Sequence, residues 1–375
     1  GEAELRLHAH LAQVSGITFS PDGKLLASCG NDRKVKIWKL RPRSNPPVLS
    51  GHTERVYALD WSDDDALMVS GSWDATVRLW EYPAGRCRAV LEGHTGYVNA
   101  VAVDPRYGRL ASTSRDGTIL VWDLASGRRL YRLRGHAGLV NPVVFSPDGS
   151  RLVAGHGEGG IGVWQAGADE LERVLEGHQG PVFALAFSPD GRRLASGGRD
   201  HTVRIWDFAS GRELRRLEGH TDMVSGLTWS SDGELVASSG ADGVALLWDL
   251  ETGSVARRLE GHDLWVNAVR FSPDDRLLAT ASDDRSVRIW SAANGRPLLI
   301  IPTASEVMAI RFSSDGSILA VGDGQRVVCP RLDFSVLQRD PAGLLERAER
   351  RLGRRLRGFD LVDFDFGTPD AATGL

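Results

Sequence analysis

The chain has 375 residues, with 45 Lys+Arg against 49 Asp+Glu and a formal net charge of −4. That balance argues against a nucleic-acid binder, which concentrates basic charge on one face. No uninterrupted apolar run approaches the roughly 20 residues of a membrane helix, and Cys29, Cys87 and Cys329 form no CxxC pair, so neither a disulfide framework nor a zinc site is expected.

The chain opens GEAELRLH, which is acidic and lacks the apolar stretch of a signal peptide. It starts at Gly1 rather than Met, so a trimmed chain is expected, which leaves a domain upstream open. A reducing cytoplasm fits the cysteine usage. Residues 4–10, ELRLHAH, read as an orphan strand followed by His10, similar to ELRRLEGH at 213–220.

A strict repeat follows. Tryptophan recurs at 38, 80, 122, 164, 206, 248 and 290, and histidine at 10, 52, 94, 136, 178, 220 and 262, every interval being 42 residues. Such self-similarity marks a repeat architecture. In the unit from Val182, VFALAF alternates, SPDG turns the chain, RRLASGG and TVRIW form two more strands across the turn RDH, and GRELRRLEGH supplies a fourth. Alternating runs punctuated by Asp-Gly turns predict antiparallel strands joined by hairpins. Four short strands cannot bury both faces alone, so such sheets stack radially. After Trp290 comes RPLLIIP, then VMAIRFSSDG (307–316), SILAVGDG (317–324) and QRVVCPRL (325–332), a degenerate unit without His, hydroxyl or Trp.

The GH pair, the SPDG turn, the Ser/Thr-x-x-x-Asp turn and the closing Trp together resemble the WD-repeat β-propeller family, of bacterial type, over roughly residues 1–335. The fold expected is all-β: eight four-stranded antiparallel blades over 1–336, closed by the N-terminal strand. The alternative is seven blades with residues 305–335 packed outside. The resemblance implies structural tetrads in which the indole N–H bonds the hydroxyl, the hydroxyl the imidazole and the imidazole the carboxylate. These are His52, Ser70, Asp74, Trp80; His94, Ser112, Asp116, Trp122; His178, Ser196, Asp200, Trp206; His220, Ser238, Asp242, Trp248; His262, Thr280, Asp284, Trp290; and His10, Ser28, Asp32, Trp38.

Ser, His and Asp in sequence also match a hydrolase triad, but six copies, each ending on a Trp donor, favour fastening over catalysis. The fourth unit departs: it reads His136, Ala154, Glu158, Trp164 inside the glycine-rich GHGEGGIG (155–162). Its G-x-G-x-x-G lacks the strand-to-helix context of a dinucleotide site. His156 and His201 read as loop histidines, and His8 belongs to the first strand.

In the family, partners gather on the face that carries the turn between second and third strands and the loop into the first. Those positions here are Arg55, Tyr57, Trp73, Tyr97, Asn99, Arg115, Leu139, Phe183, Arg199, Met223, Trp265 and Asn267, residue types enriched at interface hot spots. Arg115 and Arg199 raise the narrower option of an acidic or phosphorylated peptide.

Residues 337–375 are expected to form an amphipathic helix after Pro341 and an acidic-aromatic strip, FDLVDFDF (359–366), docked on the propeller. The function expected is a non-catalytic, monomeric scaffold or sensor for protein or peptide partners, with no metal, cofactor, nucleic acid or membrane. The alternative is the regulatory part of a larger enzyme whose catalytic domain lies upstream of residue 1.

Overall fold

The computed structural model describes residues 5–7, 13–20, 25–39, 48–62, 66–81, 84–104, 106–133, 140–303, 306–312, 319–323 and 326–329. His10, His136, Leu139 and the segment 337–375 lie outside the described residues, as does the Trp38 side chain.

Among those residues every regular element is a strand. The fifth unit shows the pattern: Val182–Phe187, Arg193–Gly198, Thr202–Asp207 and Glu213–Glu218 pair antiparallel in chain order. The first strand carries a bulge after its opening Val, between Val182 and Ala184 here and at the matching place in the second, third and sixth units. A bulge re-aims one side chain, which frees the second residue of each inner strand from the regular in–out alternation.

The core lies between sheets. Ala195, Val203, Ile205 and Leu217 of the fifth unit pack on Val224, Trp229, Val236 and Leu246 of the sixth, and Val153, Ile161, Val163 and Leu175 of the fourth pack on Val182, Leu194 and Trp206. Each such buried aliphatic contributes about 1.5–3 kcal/mol, so no sheet is stable without its neighbours. The first strands line up side by side: Val56–Trp61 beside Val98–Val103, and so on around to Val266–Phe271.

The expected eight WD-repeat blades are corrected to seven. Seven sheets each use four consecutive strands on the 42-residue frame. One further four-stranded sheet is assembled from both ends of the chain, with Leu5–Leu7 against Arg326–Cys329, then Leu319–Asp323 and Val307–Phe312. It carries none of the repeat's polar residues. It sits between the first strands Val266–Phe271 and Val14–Phe19, and Val307, Ile310, Leu319 and Val321 bury themselves against Ala279, Val287 and Ile289.

Candidate functional site: a buried polar chain and the face above it

The hairpin between second and third strands needs one residue in the left-handed region, directly after the tetrad acid. Arg33, Ala75, His201 and Arg285 hold φ of 66–68° there, and Gly117, Gly159 and Gly243 occupy the same place in other units. His201 is therefore a turn residue, exposed at the hairpin tip.

That turn aims the acid inward. In the fifth unit Trp206 Nε1 donates to Ser196 Oγ at 2.8 Å, Ser196 Oγ lies 2.7 Å from His178 Nε2, and His178 Nδ1 lies 2.8 Å from Asp200. The second unit repeats this through Trp80, Ser70, His52 and Asp74, each step 2.8 Å. The Trp122–Ser112–His94, Trp248–Ser238–His220–Asp242 and Trp290–Thr280–His262–Asp284 chains follow suit. An indole can only donate, so the hydroxyl hydrogen goes to Nε2 and the imidazole donates through Nδ1–H to the carboxylate. The third unit bends the rule, with His94 Nδ1 at 2.9 Å from Thr118 Oγ1 and 3.3 Å from Asp116.

The sequence reading missed a fifth member. Two residues after the acid, Thr76, Thr118, Thr202 and Ser286 bond it with their hydroxyls at 2.6–2.9 Å. The residue after each histidine adds a backbone N–H, as Thr53 does to Asp74 at 3.0 Å and Gln179 to Asp200 at 3.1 Å. The signal was present in the sequence as a Thr or Ser at a fixed offset.

These contacts set the charge states. Burial alone would raise Asp116, but Thr118, Thr95 and His94 outweigh it and bring it down to about 2. Burial likewise opposes, and the surrounding donors overcome, in Asp74, Asp200, Asp242 and Asp284, all held below the usual carboxylate range. Burial depresses His52, His94 and His262 against the pull of their acids, so at neutral pH these imidazoles are neutral donors facing an ionised carboxylate. Ser70, Ser112, Ser196 and Ser238 are fully buried. A nucleophile needs a substrate at its oxygen, and these oxygens face indole and imidazole instead.

The fourth unit is built differently. His156, read from the sequence as a loop residue, ends the strand Arg151–His156, is buried, and sets its ring 6.1 Å from Trp164. A Cβ at residue 162 would lie 2.7 Å from Trp164 Cζ3 and 2.8 Å from His156 Nε2. Only glycine fits there, which accounts for Gly162 in the glycine-rich segment.

The positions expected to face a partner lie at the same end of each blade as these turns. The residue before the tetrad acid donates its backbone N–H to the residue before the opening Val: Trp73 to Arg55, Arg115 to Tyr97, Arg199 to Pro181, Ala241 to Met223 and Asp283 to Trp265, at 2.8–3.0 Å. On this end Trp73 stacks on Tyr97 at 4.7 Å and 7°, with Tyr57 6.0 Å away on its other side. Arg55 caps Trp73 at 4.8 Å and Arg115 sits 5.9 Å from the Tyr97 ring. Tyr57 and Tyr97 are exposed, and Trp265 is 48% exposed beside Leu264. Trp73 is half-buried between adjacent blades, and its Nε1 is buried without an acceptor.

The remaining candidates separate. Arg199 is exposed and Met223 half-buried on the same end. Asn99 and Phe183 line the central passage. Asn267 is committed to the fold, donating to Asp283 at 2.5 Å and to the Val307 carbonyl at 3.1 Å. Among the described residues no three His, Cys, Asp or Glu converge on a metal-sized site, and no helix is long and apolar enough to cross a membrane.

Stacked four-stranded sheets fastened by Trp–Ser–His–Asp chains define a WD-repeat propeller. The family described as WD domain, G-beta repeat (WD40) matches residues 1–39, 44–81, 85–123, 127–165, 169–207, 211–249 and 253–291, and the chain belongs to it. Its last match ends at 291, and none covers Val307–Phe312, Leu319–Asp323 or Arg326–Cys329 of the composite sheet, which is the finding that replaces eight WD-repeat blades with seven. Propellers of this family are generally non-catalytic and bind protein partners.

Over 34 residues the chain is 50% identical to DDB1- and CUL4-associated factor 13 of Dictyostelium discoideum, covering 9% of this chain and 8% of that protein. Over 44 residues it is 39% identical to the 26S proteasome regulatory subunit RPN14 of Saccharomyces cerevisiae, covering 12% and 11%. The chain thus spans about a tenth of the length of these curated relatives. A crystal structure of the computationally designed Ika8 protein superposes with a TM-score of 0.77 at 29% identity, over 88% of this chain and all of that one.

Proposed function

We propose that this chain is a non-catalytic interaction scaffold that captures a protein or peptide on the end of the propeller carrying the tetrad turns. The observation that carries this reading is the stack of Arg55, Trp73, Tyr97 and Arg115, with Trp265 exposed on the same end. Aromatic rings and arginines provide rigid contact area and are the types that dominate binding energy at interfaces. The relatives' names agree with such a role: one is named as a proteasome regulatory subunit and the other as a factor associated with DDB1 and CUL4. The same face would suit a sensor reading a partner's state.

Affinity capture from matched lysates tests this, with Tyr97→Ala/Trp265→Ala against the unaltered chain. Both rings are exposed, so the melt should stay within about 2 °C while the specifically retained partner is lost. Retention of the same partner by the variant would refute the assignment of this face.

A further inference from the structure

A passage of about 320 Å³ runs between the first strands. Its wall is mostly small or aliphatic, as at Ala58, Ala184, Ala268 and Leu227. Among the described residues only two charged side chains line it, Arg270 and Arg311, each the fifth residue of its strand and on adjacent sheets. They stand one residue before the strand ends, at the end of the passage away from the interaction face.

Among the described residues neither guanidinium has a paired acid. Arg270 Nη1 donates to the carbonyls of Val269 at 2.7 Å and Leu227 at 3.4 Å, while its Nε is buried without an acceptor. Arg311 makes no hydrogen bond or ion pair to the described residues, although it is open to the passage. The acid that acts on it is Asp60, whose two oxygens accept the N–H groups of Trp61 at 3.0 Å and Val103 at 2.7 Å. Burial and then the Arg311 charge bring Arg270 down to about 9, and burial lowers Arg311 against the pull of Asp60.

Two like charges in a narrow protein-walled space are costly unless an opposite charge joins them. We propose that the passage is an anion site in which Arg270 and Arg311 together hold a phosphate-type oxyanion, either inorganic phosphate or the phosphate group of a small metabolite. Guanidinium presents planar pairs of donors that match oxyanions carrying several acceptor oxygens. This proposal is independent of the interaction face, which lies at the opposite end.

Calorimetric titration of the whole chain with inorganic pyrophosphate is expected to show one site per chain. Melting in 10 mM pyrophosphate should rise by at least about 2 °C over sodium chloride of equal ionic strength, through preferential binding to the folded state. Arg270→Gln/Arg311→Gln should lose both responses. Arg311→Gln alone, which removes no hydrogen bond, should weaken binding at least about tenfold and serves if the double variant fails to fold. Arg192→Gln, an exposed arginine elsewhere, should retain binding. An equal response to glutamate would show that any carboxylate suffices and would overturn the phosphate assignment. No pyrophosphate response, several sites, or a response surviving Arg311→Gln would overturn the site.

Discussion

The fourth and fifth blades share one backbone and two different fastenings. Their second and third strands hold the same register, Leu152↔Trp164 and Gly155↔Ile161 in one, Leu194↔Trp206 and Gly197↔Val203 in the other. In the fifth, a hydroxyl links indole to imidazole and the acid anchors the turn. In the fourth, Ala154 replaces the hydroxyl, and a second ring, His156, packs beside Trp164 over a strand stripped to glycine at 162. Propeller geometry thus tolerates either a bridging hydroxyl or an alanine with a second ring packed beside Trp at the same place. What the two blades share is that the volume next to Trp is filled.

The largest effect should come from adding a methyl to the fourth blade. Gly162→Ala forces its Cβ into Trp164 and His156 and should lose about 3 kcal/mol by urea denaturation. The same place in the fifth blade is filled by Arg204 without strain, so a neutral outcome would mean that His156 does not take up the space. Next, Ser196→Ala leaves Trp206 Nε1 and His178 Nε2 without their shared partner and should cost about 2 kcal/mol. The reciprocal Ala154→Ser should recover less than about 0.5 kcal/mol, because the fourth blade no longer uses a hydroxyl there.

Acid should act on the tetrad blades in two stages. Imidazoles held below their ordinary 6.5 stay neutral when folded. As pH falls below that value, unfolded chains take up more protons and stability declines. The acids are depressed instead, so their contribution is present above the unfolded value of 3.8 and is lost as pH drops through the folded values, about 2 for Asp116. A melting temperature that is flat from pH 7 to pH 5 and falls only below pH 4 would exclude the imidazoles. The smallest effect is at the turn. His201→Gly relieves a left-handed φ of 66° and should gain up to about 1 kcal/mol. Gly159→Ala at the matching turn should lose stability, since its Cβ would lie 2.8 Å from the His178 carbonyl carbon.

Much of this was legible because each repeated residue type answers a fixed requirement. Trp and His need partners when buried, Asp-Gly turns need a special backbone, and a period of 42 residues aligns them. The fifth hydroxyl, as at Thr202, escaped only because the four-residue pattern stops at the acid. His156 escaped because its role depends on a missing hydroxyl at 154 and a glycine at 162, each uninformative alone. Trp73 and Trp265 looked alike in sequence, yet one is wedged between blades and the other is open, a difference set by which neighbour reaches over the ring. The blade count was overstated because similarity of strands is weaker evidence for a repeat than its polar residues. The arginine pair belongs to two strands 41 residues apart and becomes a pair only when the strands stand side by side.

Residue-resolved hydrogen exchange at neutral pH compares the two fastenings most directly. A polar chain tying second strand, third strand and turn together should protect the amides of Arg193–Gly198 at least about tenfold more than those of Arg151–His156, a difference of about 1.4 kcal/mol in opening free energy. Ser196→Ala should erase that advantage in its own blade. Equal protection in the two blades of the unaltered chain, or an advantage that survives Ser196→Ala, would contradict the view that the buried Trp, Ser, His and Asp act as fasteners.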